Sequence, residues 1–180
     1  PGLASARCFS GSAAVDHNNT LGLQKGDQKT IVASFTNTGP GHGDSLAYST
    51  DGGFRFNVMD DINPIIVLPG SKRGSNGRDP KIFWHEESQK WCIVTYQMAI
   101  KEKGKPECMA FNSSKDLRKW KFESNTILQA TDSQKGKKQK QWHECPEFVH
   151  LPVDGDKNNK KWLLLDASPI YQIGSFDGHK

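Results

Sequence analysis

Two short segments carry residue types that could do chemistry together: Arg78-Asp79-Pro80 and Glu144-Cys145-Pro146. Two acids facing one cavity are what cleavage of a glycosidic bond requires. One donates a proton to the departing oxygen, while negative charge stabilises the oxocarbenium-like transition state. Arg78 offers a forked donor to sugar hydroxyls or to a neighbouring carboxylate. The proline in each triplet fixes the backbone just beyond the acid, because its ring locks φ and restricts the residue before it. Trp142 and His143 stand immediately before Glu144; they could shape a sugar subsite or modulate the acid, and they could equally be core and surface fillers. Taken singly, an Asp or Glu at a turn is more often structural than catalytic. Position decides between the two readings, and position depends on the elements that carry these segments.

Short β-type runs recur along the chain: 30–36, 45–49, 81–84, 91–96, 108–112, 148–151, 161–165 and 171–176. They are rich in β-branched, aromatic and Leu residues and are bounded by Gly, Asn, Asp, Ser or Lys clusters, whereas no helical period is sustained. The expectation is an all-β fold. The runs also repeat in order. Three units open with Phe9-Ser10-Gly11, Arg78-Asp79-Pro80 and Glu144-Cys145-Pro146, beginning at residues 9, 78 and 144 and so 69 and then 66 residues apart. Each unit then turns at 16–19, 86–89 or 154–156, returns through a strand, and closes with Ser or Thr, Asp and an aromatic.

That spacing fits a four-stranded propeller blade with generous loops. The closing residues Asp51, Asp116 and Asp177 suit hairpin turns in which the carboxylate bonds nearby amides. Radial repetition puts equivalent positions of successive blades on a ring. If the triplets precede each innermost strand, Ser10, Arg78, Asp79 and Glu144 line one funnel. The matched positions turn the two acids from structural candidates into a predicted pair.

Composition agrees with a folded domain: 34% hydrophobic residues, with five Trp and nine Phe, lie outside the range of disordered chains. The net charge of +4 comes mostly from lysines at 135–140 and 157–161, in polar stretches that read as solvated loops. No aromatic residues interleave them as a nucleic-acid groove would need, so no nucleic-acid partner is expected. No apolar stretch is long enough for a membrane-spanning helix, and no signal-peptide core is visible. Cys8, Cys92, Cys108 and Cys145 are spread too widely for a disulfide scaffold or a zinc site and read as buried free thiols.

The ordered motifs closely resemble glycoside hydrolase family 32, the invertase, inulinase and levanase group of five-bladed β-propellers. Residues 9–16 with Asn18-Asn19-Thr20 look like its Phe-Ser-Gly segment, Arg78-Asp79-Pro80-Lys81 like its Arg-Asp-Pro motif, and Glu144-Cys145-Pro146-Glu147 with 151–155 like its Glu-Cys-Pro segment. Ser45 to Ser49 and Asn63 to Ile66 also fit. The resemblance implies a retaining hydrolase of β-fructosides working by double displacement without a metal or organic cofactor. Asp79 would stabilise the transition state and Glu144 would be general acid, then base. Arg78, Phe9, Ser10 and Cys145, with Trp142 and His143, would bind substrate. It further implies a fructose-containing oligo- or polysaccharide as partner and a secreted or periplasmic protein. Linkage preference and oligomeric state stay open.

One departure stands out. The family's nucleophilic aspartate belongs to a Trp-x-Asn-Asp-Pro-Asn-Gly type motif, and residues 1–180 contain none; Asp16 belongs to the segment after Phe-Ser-Gly and is no substitute. Residues 1–180 are therefore expected to be about three interior blades of the catalytic propeller, with the nucleophile blade before Pro1 and the closing blades and a β-sandwich after Lys180. Such a piece is expected to be inactive alone and prone to aggregate through unpaired edges. Two alternatives remain at the level of sequence. One is a non-catalytic sugar-binding propeller. The other is a related propeller glycosidase acting on arabinans, xylans or sialosides, although a sialidase would need an arginine cluster that Arg78 only begins to supply.

Overall fold

A computed structural model describes residues 8–38, 42–67, 77–98, 107–127, 144–167 and 170–180. Among them the regular structure is all strand, in three antiparallel sheets. The first contains β1 (Cys8–Asp16), β2 (Thr30–Asn37), β3 (Gly43–Ser49) and β4 (Asn57–Val58) in that order, with β5 (Ile66–Val67) also paired to β3. The second runs β6 (Gly77–His85), β7 (Lys90–Gln97), β8 (Cys108–Ser114) and β9 (Lys121–Thr126), and the third β10 (Glu147–Val153), β11 (Asp156–Leu165) and β12 (Tyr171–Gly174). Apart from β5, consecutive strands within each sheet pair, as in the blades of a β-propeller.

Strand periodicity explains how the blades hold together. On β7 the side chains alternate between two cores. Trp91 and Ile93 join Val32, Leu46, Ile82 and Leu117 at the junction with the first sheet, while Cys92, Val94 and Tyr96 join Met109, Phe111, Phe148, Leu164 and Phe176 at the junction with the third. A strand covered on both faces must read as a nearly unbroken apolar run, and Trp91 to Tyr96 does.

The opening triplets of the first two units lie inside β1 and β6 rather than ahead of them, and only Glu144-Cys145-Pro146 precedes its strand. The ladder shifts register between Cys8 and Gly11 and between Arg78 and Lys81. Proline lacks an N–H, and Asp79 adopts a left-handed φ of 64°, so the second triplet forms a bulge within the ladder. In the first triplet, a Cβ on Gly11 would overlap the carbonyl oxygen of Ser34, so the close approach of β1 and β2 requires glycine there.

The closing aspartates do what turn chemistry predicts. Asp51 accepts from Ser49 Oγ (2.8 Å) and the Arg55 amide (3.0 Å). Asp116 accepts from the amides of Arg118 (2.9 Å) and Lys119 (2.8 Å), and Asp177 from those of His179 (2.8 Å) and Lys180 (2.9 Å). Asn63, expected as a motif residue, has a structural role: its amide side chain pairs with both the N–H and the C=O of Leu46 at 2.8 Å and finishes the edge of β3.

Two expectations need correcting. Lys157 to Lys161 do not form a loop but lie in the exposed arm of β11, where a two-stranded hairpin tolerates polar residues on both faces; the run at 135–140 lies outside the described residues. None of the four cysteines is in a disulfide, but only Cys92 is buried, its thiol pushed up to about 12 by burial, whereas Cys8 and Cys145 are exposed.

Candidate active site

At the axial ends of the three sheets a recess of about 550 Å³ is lined by Cys8, Phe9, Ser10, Arg78, Asp79, Glu144 and Cys145. The two acids predicted to share a cavity therefore do so. Each arrives by its own backbone device. Asp79 sits on the β6 bulge, and Ser12 Oγ bonds the groups around it, donating to the Pro80 carbonyl (3.0 Å) and accepting from the Ile82 amide (2.7 Å). Ser34 Oγ also donates to the Pro80 carbonyl (3.2 Å). The first blade thus ties down the backbone groups that a bulge leaves outside the ladder.

Glu144 and Cys145 form the approach to β10. The Ala167 amide donates to the Glu144 carbonyl (2.9 Å), and Cys145 is left-handed at φ 50°. That conformation aims its N–H at Asp79 Oδ2, 3.0 Å away, with Cys145 Sγ 3.6 Å from the same oxygen. Lys81 Nζ meets Glu147 Oε1 at 2.6 Å, a second tie between the second and third blades.

Arg78 joins the acids. Its Nε and Nη2 both donate to Glu144 Oε2, at 3.1 and 2.7 Å, and Nε lies 3.4 Å from Asp79 Oδ2. The guanidinium stands over the Tyr96 ring, its cross-strand partner, with Cζ 5.6 Å from the centroid. Asp79 is nearly buried, 5% exposed, whereas Glu144 is 35% exposed to the recess. A fixed inner carboxylate beside a more accessible outer one is a division suited to charge stabilisation and proton transfer respectively. Partial desolvation of its sulfur raises the thiol of Cys145, although the residue as a whole is exposed, and the adjacent Asp79 carboxylate adds to the effect; the Tyr96 phenol is raised by burial and by Glu107.

The model of the glycosyl hydrolases family 32 N-terminal domain matches residues 3–179. The chain belongs to glycoside hydrolase family 32. It is 38% identical to the levanase of Bacillus subtilis (strain 168) and 34% identical to the extracellular exo-inulinase of Aspergillus awamori, in each case over 94% of its own length. It covers 24% and 34% of those two proteins, so it spans about a quarter to a third of the curated relatives it matches. Among solved structures it superposes on that exo-inulinase with a TM-score of 0.73 and 31% identity, over 97% of this chain and 37% of the other. The β-fructofuranosidase of Schwanniomyces occidentalis, solved with fructosyl-erythritol, gives 0.72 and 30%, over 97% and 33%. The family's propeller architecture is thus the frame of the three blades.

Within that family frame, Arg78, Asp79, Glu144, Cys145, Phe9 and Ser10 come together as expected. Trp142 and His143 lie outside the described residues. Cys8 and Tyr96 were not expected at the site. Tyr96 could have been found by pairing β6 with β7 through the bulge, which places it opposite Arg78. Cys8 shares its wall of the recess with Phe9 and Ser10, on the irregular stretch of β1.

Proposed function

We propose that the protein carrying this chain hydrolyses β-fructosyl linkages, as in sucrose, inulin or levan, by a retaining double displacement. The observation that carries this reading is the clamp of Arg78 on Glu144 beside the nearly buried Asp79, in one recess of a family 32 propeller. Glu144, the more exposed acid, protonates the leaving oxygen; Oε2 is held by Arg78, leaving Oε1 to carry the proton. Asp79, fixed by the Cys145 amide, stabilises positive charge on the fructosyl ring and holds its hydroxyls. Arg78, Phe9, Ser10 and Cys145 line the fructosyl subsite. A nucleophilic aspartate supplied by the propeller outside residues 1–180 forms the covalent intermediate, which water activated by Glu144 then releases. The three blades are, in this reading, an interior part of that propeller, and the protein acts outside the cell.

The test is fructose release from sucrose, inulin and levan by the full-length protein and by its Glu144→Gln variant. The wild type should release fructose from at least one of them. The variant should be slower by on the order of 10²- to 10⁴-fold with an unchanged fold. No release by the wild type from any of the three would overturn the reading, and a near-normal rate in the variant would remove Glu144 from its role.

A further inference from the structure

Behind Asp79, at the junction of the first two sheets, lies a polar layer that the chemistry above does not use. The strand period places it. On β2, Val32, Ser34 and Thr36 share a face; on β3, Asp44 and Leu46 do; on β7, Ile93 and Thr95 do. Val32, Leu46 and Ile93 form the apolar part of this junction. Thr36, Asp44 and Thr95 continue it toward the recess, and all three are 0% exposed. Thr36 and Asp44 are direct cross-strand partners.

The hydrogen bonds converge on Asp44. The Asp79 amide donates to Thr36 Oγ1 at 2.8 Å. Thr36 Oγ1 donates to Asp44 Oδ1 at 3.3 Å, and Thr95 Oγ1 donates to Asp44 Oδ2 at 2.6 Å. A hydroxyl has one proton, so a Thr36 that gives it to Asp44 presents its lone pairs to the Asp79 N–H. A carboxyl group here is costly: apolar residues of similar volume would fill the junction more cheaply, as they do two positions further along β3 and β7. The layer ends on one backbone group, the amide of a non-glycine residue held at φ 64°. Such a conformation persists only where its surroundings over-determine it.

We propose that Asp44, acting through Thr36, is a positioning residue that locks the bulged backbone at Asp79 and thereby aims the Asp79 carboxylate into the recess. The proposal rests on the reading of Asp79 as the transition-state stabiliser. Thr95 is the second anchor of Asp44 and ties the arrangement to the middle strand of the second blade.

The experiment uses the full-length protein and the variants Thr36→Val, Thr36→Ser and Asp44→Leu. Valine matches threonine in shape but cannot accept the Asp79 amide, serine keeps the hydroxyl, and leucine removes the group that orients it. Steady-state kinetics on the best of sucrose, inulin and levan should show kcat lower by on the order of 10- to 100-fold in Thr36→Val and Asp44→Leu. Thr36→Ser should restore most of that loss. Hydrogen exchange over the segment carrying Asp79 should be faster in Thr36→Val than in wild type and Thr36→Ser. Equal kcat in the valine and serine variants would overturn the proposal, as would equal exchange. If the wild type releases no fructose at all, the functional reading fails, and the exchange comparison still decides whether the hydroxyl holds Asp79.

Discussion

Asp44 has a measurable signature apart from turnover, because its carboxyl is completely buried. Burial raises it from an ordinary 3.8 to about 7; the hydroxyls of Thr95 and Thr36 work against the rise, and the charge of Asp79 adds to it. The folded state then holds a proton between these values that the unfolded chain has lost. Stability contributed by the neutral acid is full below about pH 4, falls as pH rises, and is gone above about pH 7, a loss of up to roughly 4 kcal/mol. Asp44→Asn cannot ionise and keeps an oxygen for Thr36. Its thermal midpoint should gain on that of the wild type progressively from pH 4 to pH 7.5, and parallel midpoints across that range would show that Asp44 does not titrate within the fold. None of this was legible in the sequence, whereas Asp79 and Glu144 were. The two acids stand in triplets that open successive units of a repeat, but Asp44 is one acid in a Gly-Asp-Ser stretch. Its burial comes from the register of β2 on β3 and from Thr95, fifty-one residues away.

At the level of elements, the turns that close each blade rest on one carboxylate apiece. The amides of Lys119 and Arg118 and the Ser114 hydroxyl outweigh burial and lower the Asp116 carboxyl; the Arg55 amide lowers Asp51 and the Lys180 amide lowers Asp177. A lowered carboxyl stabilises the fold above its unfolded value and loses that contribution as pH falls, so these turns weaken in acid. Asp116→Ala should destabilise by about 1 kcal/mol at neutral pH by freeing two amides and a hydroxyl. The effect should fade as the wild-type acid is protonated. Denaturant titration at pH 7 and pH 3 measures both, and an equal cost at the two values would mean that the carboxylate's charge is irrelevant. These turns were readable because Ser-x-Asp is a local pattern with a local mechanism. β4 and β5 were not, since each is two residues long, and neither was the full extent of β9, whose Lys-Phe-Glu-Ser-Asn-Thr run is polar on both faces and gains strand geometry from pairing with β8.

For the molecule as a whole, the candidate site and stability meet at the blade junctions. The first junction supplies Thr36 to Asp79, and the second brings the Cys145 amide to the same residue and Glu144 to Arg78. The second is held by an aromatic cluster centred on Phe148, three residues beyond Cys145, with Phe83, Phe111, Trp162 and Phe176 around it; the Phe148 and Trp162 rings stack at 4.5 Å. Leu46 fills the first junction and shares no cluster with Phe148. Phe148→Ala should destabilise by about 3–5 kcal/mol and Leu46→Ala by about 2–5 kcal/mol, and the effects should add because the clusters lie on opposite faces of β7. Their effects on turnover should differ. Phe148→Ala loosens the strand that follows Glu144 and should lower kcat below the melting range, because in the proposed mechanism proton transfer depends on the placement of that acid. Leu46→Ala lies two positions from Asp44 on the same face and should instead reproduce, more weakly, the faster exchange at Asp79 expected on losing the Thr36 hydroxyl. Two variants that lowered kcat equally, with the same exchange at Asp79, would show that the blades act as one rigid body and that neither junction has a site of its own to hold.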